Sequence, residues 1–137
     1  MPIFLDGRTC ILWAVLVLTL PLPWLLSAML AAVFHELCHL AALALTGTAV
    51  HSVHVGIRGI RLEAGPMEPG AELISAAAGP AGSLLLLLFL RQIPRIAICA
   101  ACQGLFNLLP VYPLDGGRIL RCILGLLGSV HEKDLAK

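Results

Sequence analysis

The stretch that decides how this chain folds runs from residue 23 to residue 47 and reads PWLLSAMLAAVFHELCHLAALALTG. About 22 apolar residues, rising 1.5 Å each, span the roughly 30 Å hydrocarbon core of a bilayer, so the stretch predicts a membrane-spanning helix. Its centre, FHELCH at Phe34–His39, nevertheless carries two histidines and a glutamate. Ionisable side chains inside a membrane are costly unless something compensates for them, so they mark a functional site.

The composition of the whole chain also indicates a membrane protein. Of its 137 residues, 59% are hydrophobic and 12% are charged, whereas soluble domains carry about 25% charged residues. The length predicts one membrane-embedded domain, residues 1–137, without an appended module. We expect no removable signal peptide, because the N-terminal sequence lacks a small-residue cleavage site. A net charge of +1 argues against nucleic acid as a partner.

The hydrophobic pattern predicts an all-α membrane protein with about four transmembrane helices and a short C-terminal helix. The four spans fall at about 10–20, 24–46, 73–90 and 96–109, and the short helix at about 118–128. The first span is short, so it either begins earlier, near Ile3, or crosses only part of the bilayer.

A β-hairpin is predicted between the second and third spans. Apolar residues alternate on both sides of Arg58-Gly59, which is the period of a half-exposed strand interrupted by a two-residue turn. An exposed edge of the stretch Ser52–Leu62 is our candidate for holding an unwound peptide by strand addition.

The distribution of basic residues predicts the orientation in the membrane. With four spans, the N-terminus, the hairpin and the C-terminus share one side, and the connection that holds Arg91 and Arg95 lies on the other. The first side carries seven basic residues: Arg8, Arg58, Arg61, Arg118, Arg121, Lys133 and Lys137. The positive-inside rule therefore predicts a multi-pass protein of a bacterial cell membrane with both termini in the cytoplasm.

The residues at the centre of the second span form the pattern H-E-x-x-H. Positions i and i+4 share one face of a helix, so His35 and His39 can bind the same metal ion, and Glu36 lies close enough to hold a water beside it. The alternatives are a chance match and polar side chains that face a neighbouring helix. Three ionisable residues within an apolar span favour the metal site.

A third metal ligand is predicted at Asp115, in the segment NLLPVYPLDGGRIL. Catalytic zinc sites use three protein ligands and leave a position open. Pro110 and Pro113 stop the preceding helix, and Gly116 and Gly117 permit tight backbone turns. The alternative is that Asp115 caps a helix that starts near Arg118; beside the two histidines, we favour the ligand.

These motifs together resemble the site-2 protease family of intramembrane zinc metalloproteases, and within it the small bacterial branch of the stage IV sporulation protease. The matching elements are the H-E-x-x-H pattern, AGPAGS at Ala78–Ser83, and NLLPVYPLDGG with Asn107 at its start. The resemblance implies that His35, His39 and Asp115 bind Zn²⁺ and that Glu36 is the catalytic base.

The resemblance also implies a partner and an activity. The substrate would be a protein that is membrane-associated or transmembrane, cut in or near its membrane segment, and regulatory membrane proteins are expected. Asn107 would hydrogen-bond the substrate, although it could equally bond an adjacent helix.

Three departures from the family pattern affect this interpretation. Cys38 replaces a common glycine and is interpreted as a packing residue rather than a fourth ligand. Ser83 stands where the family often has asparagine, which puts a substrate contact there in doubt. The nucleotide-sensing domain of some relatives is expected to be absent. The alternative function is a non-catalytic, zinc-stabilised membrane homologue that acts as a binding partner.

Overall fold

The computed structural model describes residues 3–5, 15, 17–56, 59–65 and 67–135. Four helices follow one another in this part of the chain: α1 (Leu22–Leu45), α2 (Pro69–Phe89), α3 (Pro94–Asn107) and α4 (Asp115–Leu135). Three strands complete it: β1 (Ile3–Leu5), β2 (Val50–Gly56) and β3 (Gly59–Ala64).

Local sequence sets the helix boundaries. Helices α1, α2 and α3 each have proline in the first turn, where its fixed φ suits the helix and its missing N–H costs nothing. Helix α1 ends at Leu45 with Thr46 as its C-cap, and the next residue, Gly47, has φ of 69°, the left-handed conformation in which glycine commonly stops a helix.

Two helices in the described residues are long and apolar enough to cross a membrane: α1 with 24 residues and α2 with 21. Helix α3 has 14 residues, or about 21 Å, which is shorter than the roughly 30 Å core. The number of four spans therefore stays a prediction.

The two ends of the chain differ from the sequence prediction. Most of the predicted first span lies outside the described residues. Ile3–Leu5 forms a strand, so a span that begins near Ile3 is wrong. The C-terminal helix is not short: it has 21 residues and starts at Asp115 rather than near residue 118.

The strands form a three-stranded sheet in the order β1-β2-β3. Strand β1 pairs parallel to Val53–Val55 of β2, and β3 pairs antiparallel to β2 with Val55 opposite Ile60. Residues 57 and 58, which contain half of the predicted turn, lie outside the described residues. Since β2 has neighbours on both sides, the outer edge of β3 is the part of the predicted stretch Ser52–Leu62 that the described sheet leaves for strand addition, and its use by a substrate stays a prediction.

Helix α2 packs against α1, α3 and α4 and is the centre of the helical layer. Most side chains of the interior are small or polar: Ala76 and Ala100 are fully buried, as are His35, Ser75 and Ser83, and Leu25, Leu43 and Leu86 are buried beside them. Large apolar side chains such as Leu45 and Leu18 lie on the surface instead. Small residues between helices and leucines facing outward are the arrangement expected in lipid.

Candidate metal centre

Two histidines on α1 and one aspartate on α4 meet inside the helical layer. His35 and His39 lie one turn apart on the same face of α1 and are 1% and 6% exposed. Asp115, the first residue of α4, is 8% exposed. The three residues that the sequence predicted as metal ligands are therefore buried together.

The side-chain atoms of these residues converge on one point. Asp115 Oδ2 lies 3.1 Å from His35 Nε2 and 3.2 Å from His39 Nε2. The two Nε2 atoms lie 3.2 Å from each other. His35, His39 and Asp115 thus form a compact group that could hold a metal ion.

The Nδ1 atoms of the two imidazoles, which point away from the group, determine what the group can bind. His39 Nδ1 lies 2.7 Å from the carbonyl oxygen of Ser75, which only accepts hydrogen bonds, so Nδ1 carries the hydrogen and Nε2 of the neutral ring carries a lone pair. His35 Nδ1 lies 2.9 Å from Ser83 Oγ, which can accept in the same way. Two nitrogen lone pairs and a carboxylate oxygen then face one another, an arrangement that calls for a cation between them.

The donor set fits zinc. Catalytic zinc sites bind through three protein ligands drawn from histidine and carboxylate side chains. Their histidines usually donate the second ring N–H to a fixed acceptor, which orients the ring. The three side chains here are of these types, His39 donates to a fixed carbonyl, and Ser83 Oγ can accept from His35 in the same way.

Glycines on α2 make room for this group. A Cβ at Gly79 would collide with the imidazoles of His35 and His39, and a Cβ at Gly82 would collide with Cys38 Sγ. Cys38 therefore packs against α2 and lies outside the group of metal-binding candidates. This contact with Gly82 agrees with the interpretation of Cys38 as a packing residue, which stays a prediction.

Asp115 is held by the backbone around it. The alternative that it caps a helix starting near Arg118 is wrong, because α4 already begins at Asp115 and its carboxylate faces the imidazoles. Gly116 and Gly117 lie in the first turn of α4 and do not have positive φ. A Cβ at either position would collide with the backbone of residues 108–112, so they serve close packing rather than a turn.

The remaining predicted site residues lie nearby. Glu36 is half-buried and interacts electrostatically with both histidines, Asp115 and Arg118. Asn107 donates from Nδ2 to the carbonyl of Gln103 in its own helix, at 3.1 Å. Whether Asn107 contacts a substrate stays a prediction.

The sequence did not predict the residues that support the ligands. Ser75 and Ser83 contact the outer nitrogens of His39 and His35, and Arg118 Nη1 lies 3.9 Å from Asp115 Oδ1. Ser83 was noticed only as a departure from a family pattern. The sequence signal that could have identified Ser83 as a support is its position in AGPAGS, four residues and about one helical turn after Gly79, which faces the imidazoles.

Known proteins are similar to this chain in sequence. No family model matches the sequence. The chain is 36% identical over 119 residues to the predicted zinc metalloprotease Rip3 of Mycobacterium tuberculosis, covering 73% of this chain and 30% of that protein. It is 33% identical over 135 residues to the predicted zinc metalloprotease sll0528 of Synechocystis, covering 82% of this chain and 36% of that protein.

A solved structure is similar over nearly the whole chain. The site-2 protease from Methanocaldococcus jannaschii superposes with a TM-score of 0.72 at 27% identity, covering 90% of this chain and 67% of that one. The fold and the site define a helical protein with a metal-binding group buried between its helices. The chain belongs to the site-2 protease family. It spans about a third of the length of the curated relatives it matches.

Proposed function

We propose that this chain is a membrane-embedded zinc metalloendopeptidase that hydrolyses a peptide bond in or near the membrane segment of a protein substrate. The convergence of His35 Nε2, His39 Nε2 and Asp115 Oδ2 within 3.2 Å of one another is the observation that carries the proposal. Predicted zinc metalloproteases among the relatives support it.

The proposed roles follow from where the side chains lie. His35, His39 and Asp115 would hold the zinc, and the bound ion would act as a Lewis acid that acidifies water and polarises a carbonyl group. Glu36 is next to the first ligand and half-buried. Its carboxylate takes the proton from the attacking water and returns it to the nitrogen of the leaving amine. Because the histidines are buried, the attacking water must enter the site through a polar opening.

A helical substrate must unwind before it can be cut, because its peptide groups are hydrogen-bonded within the helix. The outer edge of β3 (Gly59–Ala64) could bind the unwound segment by strand addition, since β3 pairs on its other side with β2. Asn107 would contact the same segment. Control by regulatory membrane proteins and membership of the sporulation-type branch stay predictions.

The proposed location is a bacterial cell membrane, crossed several times. His39 lies six residues, or about 9 Å, before the end of α1, near the side on which the sheet follows. Arg121 donates a hydrogen bond to Glu72, in the first turn of α2, at 2.9 Å. Since α2 starts on the side where the sheet lies, this bond supports placing Arg121 on the side of the sheet. This basic side would face the cytoplasm, together with both termini.

Replacing Glu36 by glutamine tests the function. Glutamine keeps the shape of the side chain but is not a base, so zinc content should stay at the wild-type level. Cleavage of a membrane protein substrate should fall by about 100-fold or more. His35→Ala and Asp115→Ala should lose zinc and cleavage together.

Zinc and cleavage must be measured on the same detergent-solubilised preparation. Wild-type protein without stoichiometric zinc would refute the metal site. Full cleavage by a well-folded Glu36→Gln protein would refute the role of Glu36. Zinc binding without any cleavage by the wild type would favour the alternative, a zinc-stabilised binding partner.

A further inference from the structure

One face of α2 carries the groups that hold all three proposed metal ligands in place, two of them directly and Asp115 through Arg118. Four positions on this helix are involved: Glu72, Ser75, Gly79 and Ser83. They follow one another at spacings of three and four residues. At about 100° per residue they fall within roughly 80° of one another around the helix axis, so they form a single stripe, which we call the α2 stripe.

The middle of the α2 stripe fixes the two imidazoles. The Ser75 carbonyl accepts a hydrogen bond from His39 Nδ1 at 2.7 Å, and Ser83 Oγ lies 2.9 Å from His35 Nδ1. Ser83 is 2% exposed, so water does not replace its hydroxyl. Gly79, between the two serines, lets the rings approach the helix. The stripe therefore sets the position of both rings, and its Ser75 carbonyl also sets the tautomer of His39.

The outer end of the stripe fixes the carboxylate. Arg118 lies between Glu72 and Asp115, with Nε 3.9 Å from Glu72 Oε1 and Nη1 3.9 Å from Asp115 Oδ1. Arg121 donates to the same Glu72 oxygen at 2.9 Å. Asp115 therefore has Oδ1 towards a guanidinium and Oδ2 towards the imidazoles, which favours binding of a metal through one oxygen.

We propose that the α2 stripe is the positioning face of the metal centre, with Ser83 and Glu72 as positioning residues that act on zinc affinity without touching the metal. The inference rests on the proposed zinc site and adds to it which residues determine its affinity. Groups that orient metal ligands typically contribute 10- to about 100-fold to metal affinity.

Ser83→Ala and Glu72→Gln test this proposal in the full chain. Ser83→Ala removes the hydrogen-bond partner of His35 Nδ1, and Glu72→Gln removes the charge next to Arg118. Zinc affinity is measured by competition with a chelator and should fall by about 10- to 100-fold in each variant. Bound Co²⁺, read by its visible absorption, should change its spectrum because the ligand geometry changes.

Two control variants match these changes away from the stripe. Ser27→Ala removes a buried hydroxyl of α1, whose Oγ bonds Pro23 in the same helix at 2.7 Å. Glu68→Gln removes an exposed charge at the residue that precedes α2. Both controls should keep the wild-type affinity and Co²⁺ spectrum.

The outcomes separate this inference from the proposed function. Wild-type protein that binds no zinc refutes the proposed function. Wild-type protein that binds zinc, with Ser83→Ala and Glu72→Gln binding it equally well and with unchanged Co²⁺ spectra, overturns the positioning face. An effect in Ser83→Ala alone overturns the part assigned to Glu72. If Ser83→Ala does not elute as folded protein, Glu72→Gln decides, because its side chain is at the partly exposed edge of the fold.

Discussion

The substitution Gly79→Ala should remove zinc while leaving the fold in place. A methyl group at this position would lie 2.6 Å from His35 Nε2, and ordinary contact begins at about 3.4 Å. The nitrogen must therefore move by about 0.8 Å. Distances in a metal site are tolerated within about 0.2 Å, so the movement exceeds the tolerance about fourfold, and the same methyl also displaces His39.

The cost to folding should be smaller than the cost to metal binding. Overpacking in an interior costs about 1–3 kcal/mol, whereas alanine is more favourable than glycine inside a helix by about 1 kcal/mol. The net destabilisation of the metal-free protein is then between zero and about 2 kcal/mol. Gly79→Ala should thus be purified as a folded protein that lacks zinc.

Zinc content and thermal unfolding of the purified protein are the measurements. Gly125→Ala is the matched control, because Gly125 lies within α4 and a Cβ there meets nothing within 4 Å. That variant should keep its zinc and lose no stability. Stoichiometric zinc with wild-type affinity in Gly79→Ala would refute the reasoning, since it would show that the imidazoles do not need the space beside α2.

Two further predictions concern orientation and packing. Both termini should be cytoplasmic, as tested by cysteine accessibility or reporter fusions; a C-terminus outside the cell would contradict the positive-inside assignment. Gly82→Ala should destabilise the protein because the new methyl collides with Cys38 Sγ, and Cys38→Gly should relieve part of that loss. A double-mutant cycle of unfolding free energies should give a coupling of about 0.5–3 kcal/mol, whereas additive effects would show that the two residues do not share one packing space.

The sequence predicted the proposed ligands because each leaves a local signal. His35 and His39 are four residues apart in an apolar helix, and Asp115 follows two prolines that place it at a helix start. His35 and His39 share one face of a helix because they are four residues apart, and Asp115 can reach them because it lies at a similar depth in the membrane. The structure brings these three residues together.

The supporting residues left no comparable signal. Ser83 and Ser75 act through the register of α2 against α1, and register is a property of interhelical packing that short patterns do not encode. Ile3–Leu5 is too short to show an alternating pattern, and it is a strand only because β2 pairs with it. The hydrophobic pattern predicts a helix only to about residue 128, because the residues that follow in α4 are polar.

The small and polar interior reverses the usual tolerance to substitution. In a soluble domain, truncating large core side chains is the most damaging change. Here Ala31, Ala76 and Ala100 are at most 1% exposed, so added volume at these positions would force the helices apart. Leu45 and Leu18, 89% and 85% exposed, should accept other apolar residues of many sizes. Variation in this protein is therefore expected to concentrate on its largest apolar side chains and to spare its smallest.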